Sequence, residues 1–420
     1  MKQFKTLMLT AVTTALLLSG CGNNSASMDH PVRLMDYVLD LGVIKDYDEK
    51  KMMDFCKERY FVPQQGGCSA VVTQVDGKNL VGRNNDITIT ENSCFKFILD
   101  INQYKALGLA YCYQFQDKLS YEHVLKNGLD DFSKMIIPFV ATDYLNEKGL
   151  YIQTDMRYEE DGYEVTSTNP KSDVDLFLMS FPGYAATRCK NVYEAVGLAM
   201  AGVNIYNNVD PSKSVTWNFA FTLADAEGNY GLLEVAKNKV SFLSKQNGQA
   251  NYYVTPEFAK DAKFQSGEPR FKVLNEGLDQ VKTLDQMLTH MEKTYYTWSS
   301  EWDNLDEAPY DIRTECVGCY PVDKDGKVSP DGDTKNCTTA WLMDEKNKDY
   351  VFDVIKAENK ELYTTYKNND GTWNYPKLRK AYGTIPDFWI TMFSVAVDCS
   401  ARKMKVRYFQ DSTKEIEFSI

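Results

Sequence analysis

Histidine is the scarcest chemistry-bearing residue here: only His30, His123 and His290 occur in 420 residues. A thiol–imidazole catalytic pair would have to draw on His123 or His290, and both read as single polar members of helical patterns, suited to surface or capping positions. A zinc centre is not expected either. Cys316-x2-Cys319 with Cys337 supplies three sulfurs, and no fourth ligand stands at a usual spacing. Positive charge is also short, since a net charge of −12 argues against nucleic acid, whose phosphates need clustered Lys and Arg. Past the N-terminal stretch, no apolar run approaches the roughly 18 residues of a membrane-crossing helix. The acidic stretch with Asp323, Asp325, Asp331 and Asp333 lacks the closing Glu of a calcium loop and reads as a solvated loop. No metal and no other cofactor is expected.

What is present suits a folded body. Hydrophobic residues make up 43% and charged residues 25%, the balance of a globular chain, and the length allows one large domain or two to three small ones. The first residues carry Lys2 and Lys5, an apolar run from Leu7 to Leu18, and then Ser19-Gly20-Cys21. This ending resembles a bacterial lipoprotein signal, which implies removal of residues 1–20 and a lipid on Cys21. The expected location is the cell envelope, on the periplasmic or outer-membrane face, with membrane lipid as a partner through Cys21. A short polar linker follows. Leu34, Val38 and Leu41, and then Met52, Phe55, Cys56 and Tyr60, are spaced as the faces of two helices, so residues 21–67 read as a linker and helical pro-segment. Pro63-Gln64-Gln65-Gly66-Gly67 ends that pattern and sets a boundary.

The stretch beginning at Gly67-Cys68 is the informative one. An alternating run after Cys68, the turn signal Asp76-Gly77, and a return strand ending Arg83-Asn84-Asn85-Asp86 predict a β-hairpin. Such a hairpin sets the start of its first strand beside the end of its second, so Cys68, Arg83 and Asp86 meet at one edge. A guanidinium beside a thiol favours the thiolate. Charged groups at a strand end are expected to lie outside the core.

Gly-Cys-Ser-x-Val-Val, the Asp-Gly turn, and the spacing Cys68-x14-Arg83-x2-Asp86 resemble the N-terminal nucleophile cysteine hydrolases. That superfamily spans choloylglycine hydrolases, penicillin V acylases and acid ceramidase-like enzymes. The resemblance implies that Cys68 becomes the first residue of the mature chain after self-cleavage, attacks a linear amide, and uses its own α-amine as base. It assigns Arg83 and Asp86 to the active site. It matches Glu268-Pro269-Arg270-Phe271 to the context of a second site arginine, Arg270. The family's oxyanion-hole Asn has no direct match, since Pro256 stands where it is expected, and Asn251 is the substitute. The implied substrate is a small N-acyl amide such as a bile-salt conjugate, penicillin V, or an N-acyl amino acid or lipid.

The scarcity of histidine agrees with an amine base, whose ordinary pKa is about 7.7–8.0. Downstream, strand patterns at 95–99 and 106–111, a hairpin across 135–156 turned at Asn146–Gly149, and a helix over 186–202 are expected. Further on come a meander from Trp217 to Leu243, helices over 270–296, an inserted polar loop at 297–336, and closing strand pairs at 338–355 and 392–409. Strands, helices and strands again, without βαβ alternation, predict an α+β fold. The resemblance makes it an αββα sandwich over residues 68–420. The competing expectation is a non-catalytic surface lipoprotein that keeps the fold to bind ligands. The pro-segment is expected to stay bound after cleavage, with Cys56 available for a disulfide.

Overall fold

The computed structural model describes residues 33–35, 38–58, 67–90, 94–111, 124, 126–157, 163–207, 218–260, 267–294, 384–408 and 412–420. The signal and Cys21, the loop at 297–336 and the strand pair at 338–355 lie outside the described residues, as do Cys112, Cys316, Cys319, Cys337, His30, His123 and the side chain of Cys56.

The chain opens with β1 (Arg33–Met35), β2 (Val38–Ile44) and α1 (Glu49–Glu58). The predicted hairpin follows as β3 (Gly67–Val75) and β4 (Lys78–Thr90), joined by two residues. Asp76 and Gly77 both take positive φ, 51° and 77°, as a twist-matched two-residue turn requires. Next come β5 (Cys94–Leu99), β6 (Ala106–Tyr111), α2 (Asp131–Phe139), β7 (Ala141–Asn146), β8 (Tyr151–Met156) and β9 (Asp175–Phe177). Helices α3 (Phe181–Ala186) and α4 (Val192–Gly197), the latter extended by a π-helical turn (Leu198–Gly202), precede β10 (Asn204–Tyr206). The meander is β11 (Phe219–Ala224), β12 (Tyr230–Ala236) and β13 (Lys239–Ser244), followed by β14 (Gly248–Gln249). Helices α5 (Pro256–Ala259), α6 (Gly267–Asn275) and α7 (Leu284–Met291) lead to β15 (Thr384–Asp398), β16 (Lys403–Tyr408) and β17 (Glu415–Ser419).

Among the described residues, nine strands form one sheet in the order β1-β2-β5-β6-β7-β8-β11-β12-β13, and six form a second, β14-β3-β4-β15-β16-β17. Their pairings are antiparallel except β2 with β5. A core of side chains from the large sheet and from α2, α3 and α4 includes Phe95, Phe97, Ile136, Phe139, Phe181 and Val192. A second core joins the small sheet to α6 and α7 through Val71, Leu80, Leu274, Met287, Leu288 and Met291. The sheets meet face to face, with Tyr111 of β6 on Phe393 of β15 at 4.5 Å between ring centroids. The layers are helix, sheet, sheet, helix: the expected αββα sandwich.

Three expectations need correction. Leu34, Val38 and Leu41 lie on strands β1 and β2, not on a helix. A short apolar run fits either period, and pairing with β5, which periodicity cannot anticipate, selects the strand. Residues 131–139 form a helix where a strand was expected to start at 135, because the Asp130 side chain caps it by accepting from Ser133 N at 2.7 Å. Finally, β17 continues the small sheet beyond the predicted closing pair.

Candidate active site

Residues alternate between the two faces of a strand, and this sorts the hairpin's polar groups. Val71 belongs to the core beneath α6 and α7, so Cys68 and Ala70, of opposite parity, face the large sheet. Arg83 stands opposite Ala70 in the ladder and shares that face. Asn84 and Asp86, opposite Ser69 and Gly67, face the helices. Asn84 Nδ2 accordingly donates to Met291 O at 2.9 Å, and its Oδ1 accepts from Ser394 Oγ at 2.8 Å.

Cys68 Sγ lies 3.1 Å from Arg83 Nη2, which donates to it and also to Thr154 O at 3.2 Å. Arg83 Nη1 donates to Thr142 Oγ1 at 2.8 Å and pairs with the Asp143 carboxylate. Tyr151 OH donates to the other Asp143 oxygen at 2.6 Å. Arg83, Asp143 and Asp155 are fully buried, so the guanidinium crosses from the small sheet to the large one without touching solvent. Burial opposes its charge, yet the Asp143 carboxylate raises its pKa well above the ordinary value, and it stays charged.

The edge of β3 that β14 covers ends at Ala70, opposite Gln249. Gly248 permits that approach, since at its φ of 120° a Cβ would stand 2.0 Å from Ala70 O. Two residues further, side chains replace the ladder. Cys68 N donates to Asn251 Oδ1 at 2.7 Å, and Cys68 O accepts from Arg270 Nη2 at 3.2 Å. The same Arg270 nitrogen donates to Asn251 Oδ1 at 2.7 Å, and Arg270 Nη1 lies 3.6 Å from Asp86 Oδ2. Thr391 Oγ1 donates to Asp86 Oδ1 at 2.5 Å. Asn251 sits at φ 59°, and its Nδ2 donates to Met156 O at 2.6 Å, which leaves at most one of its two amide protons for an oxyanion.

All five expected site residues thus come together around Cys68, and two expectations about their state change. Arg83 and Asp86 are core residues, because the second sheet and the helices cover both faces of the strand end. The Cys68 thiol is pushed up to about 12, chiefly by burial, with Arg83 pulling the other way. In the unbroken chain, which runs through Gly67-Cys68 as the start of β3, the sulfur is therefore a neutral thiol at pH 7. His290 is buried rather than on the surface, and its Nε2 meets Leu274 O at 2.6 Å in the packing of α7 on α6.

Asp143, Thr142, Tyr151, Thr391 and Asp155 join the site only through the fold, with no motif in the sequence to mark them. Asp143 and Thr142 lie on β7 just before the Asn146–Gly149 turn, but nothing local says which residue points inward toward Arg83. Asp155 accepts from Gln153 Nε2 at 2.5 Å, and its pKa rises to about 6, chiefly by burial, against the pull of Arg83 and Arg157. A third fully buried ion pair, Arg157 with Glu234 at 3.0 Å, holds the loop after β14: Glu234 accepts from Val254 N at 3.0 Å and Thr255 N at 2.7 Å. Cys189 and Cys399 are buried thiols outside any disulfide. Among the described residues, no cluster of His, Cys, Asp and Glu could hold a metal.

No protein-family model matches the chain. None of the curated proteins matches it either. Among solved structures, it is similar to a mutant conjugated bile acid hydrolase from Clostridium perfringens, at 13% identity and a TM-score of 0.38 over 84% of this chain and 92% of that one. It is similar also to penicillin V acylase from Agrobacterium tumefaciens, at 11% identity and a TM-score of 0.36 over 81% of this chain and 83% of that one. At such values the likeness says nothing of chemistry, for which the side chains around Cys68 must speak.

Proposed function

We propose that the protein is a hydrolase of linear amides that frees Cys68 as its N-terminal residue and then uses it as nucleophile. The observation that carries this reading is the thiol at the start of β3, with Arg83 Nη2 3.1 Å from its sulfur and its own backbone nitrogen held by Asn251 at 2.7 Å. Once the bond before Cys68 is broken that nitrogen becomes an amine, so nucleophile and base sit on one residue and no histidine is required.

In the first step Sγ attacks the carbonyl carbon of Gly67, the bond to Cys68 N breaks, and the thiol proton ends on the freed amine. Water hydrolyses the resulting thioester, giving a Gly67 carboxylate and restoring the thiol. Arg83 Nη2, 3.1 Å from the sulfur, then works against the desolvation of the site to favour the thiolate. The α-amine takes the thiol proton, the thiolate attacks the substrate's amide carbonyl, and the α-ammonium so formed returns the proton to the leaving amine. A second water releases the acid. Arg270 and the remaining Asn251 proton are the donors nearest the backbone of Cys68, and in this reading they stabilise the oxyanion, while Asp86 holds Arg270 in place. The substrate is a small N-acyl amide of the bile-salt conjugate, penicillin V, N-acyl amino acid or N-acyl lipid kind. The enzyme works in the cell envelope, tethered through a lipid on Cys21.

The test is mass spectrometry of the denatured protein, followed by a panel of those amides. A mass starting at Cys68 and hydrolysis of at least one panel member are expected. An uncut chain inert toward all of them would leave a binding module in place of an enzyme.

A further inference from the structure

Strand β2 lies within the nine-stranded sheet, between β1 and β5, although it precedes the Gly67-Cys68 bond. We infer that residues 38–58 persist after that bond breaks as a separate, non-covalently held chain that supplies a strand of the large sheet. This rests on the cleavage proposed above.

The pairing with β5 is parallel, running from Val38 opposite Cys94 to Ile44 opposite Leu99, with Asp100 N donating to Ile44 O at 2.9 Å just past it. The strands between them in sequence, β3 and β4, belong to the other sheet. Breaking the chain before Cys68 therefore removes no hydrogen bond that holds β2. Leu39, Leu41, Ile44 and Met52 are buried, at 0%, 2%, 6% and 0% exposure, in one apolar cluster with Phe95 and Phe97 of β5. Helix α1 packs on β9 and α2, both of the large fragment. Two polar clamps cross the same boundary. Lys96 Nζ donates to both oxygens of Asp40 at 2.9 and 3.0 Å, and Arg188 donates to both oxygens of Glu49 at 3.0 and 2.6 Å.

Departure of the segment would uncover these apolar side chains and turn β5 into a bare edge strand, a template for aggregation. Retention avoids both. Any tether attached ahead of Val38 then stays joined to the active fragment through β2.

The experiment compares native and denaturing mass spectra of the purified, processed protein. Two masses under denaturing conditions and their sum under native conditions are expected. A native mass equal to residues 68–420 alone, in an active and unaggregated sample, would overturn the inference. Should the denatured protein show one uncut mass, the cleavage reading fails by itself. The inference is then tested on chain cut by a specific protease at a site placed between residues 61 and 66, with co-elution of the pieces expected and their separation the overturning result. In the cut form, Leu39→Asp should raise the free large fragment at least tenfold, whereas unchanged co-elution would show that β2 is not what holds the segment.

Discussion

The two arginines beside Cys68 are both fully buried, yet they come from neighbouring layers, the small sheet and the helices packed on it, and address different atoms. Arg83 rises from the hairpin into the space between the sheets, touches the sulfur and is answered by Asp143 of the large sheet. Arg270 comes from α6 on the helix side, touches the carbonyl oxygen of Cys68 and the amide of Asn251, and is paired with Asp86 at the longer distance of 3.6 Å. The first acts on the charge of the Cys68 sulfur; the second holds the Cys68 backbone. A buried charge that has lost its partner costs more than a hydrogen bond lost at a backbone, so the two sites should fail differently.

Removing the group that both arginines serve has the largest effect. Cys68→Ala should leave the chain uncut and without amide hydrolysis, and parental turnover by this variant would show that the nucleophile lies elsewhere. Next is Arg83→Met, which strands the Asp143 carboxylate and should lower stability by about 3–5 kcal/mol in urea unfolding. Adding Asp143→Leu should restore most of that stability but none of the activity, which separates the structural part of Arg83 from its effect on sulfur. Arg270→Gln removes charged hydrogen bonds worth about 1.5–3 kcal/mol. If these act in the transition state of chain cleavage, the rate should fall roughly ten- to hundredfold, measured by the disappearance of uncut chain.

Asp155 sharpens the comparison through pH. Its pKa in the folded protein is about 6, against about 4 for an ordinary Asp, so between those values the folded state holds a proton that the unfolded state has lost. Its contribution is therefore full below pH about 4, falls as pH rises through 6, and amounts to about 2–3 kcal/mol. Asp155→Asn should flatten that part of the stability profile. The smallest effect is expected from His290→Gln, which alters only the contact with Leu274 O: stability within about 1 kcal/mol and turnover within about twofold of the parent. A large loss of turnover with stability intact would return histidine to the mechanism.

The hairpin was legible because its signals are local: alternation, a two-residue Asp-Gly turn, and fixed offsets that put Arg83 and Asp86 near Cys68 once the strands pair. The meander and the Asn146–Gly149 turn were legible for the same reason. Residues 38–44 were not, since Val38, Leu41 and Ile44 suit a helix about as well as a strand and only β5 decides between them. Asp143 was hidden in another way. It is one acidic residue among 59 Asp and Glu, and its meaning appears only when Arg83, sixty positions earlier, crosses to it from another sheet.

From sequence alone came the hairpin that sets Arg83 and Asp86 near Cys68 and the α+β class, because each follows from short-range spacing and residue patterning; the αββα arrangement came with the resemblance that those residues carry. The protonation state of Cys68 came from tertiary structure alone. Arg83 favours the thiolate in either description, but the desolvation that overrides it arises only when two sheets and a helical layer close over the strand end. Tertiary structure likewise decided that the segment ahead of Gly67 belongs to the large sheet, since a parallel strand partner drawn from across an intervening hairpin leaves no periodic trace in the chain that receives it.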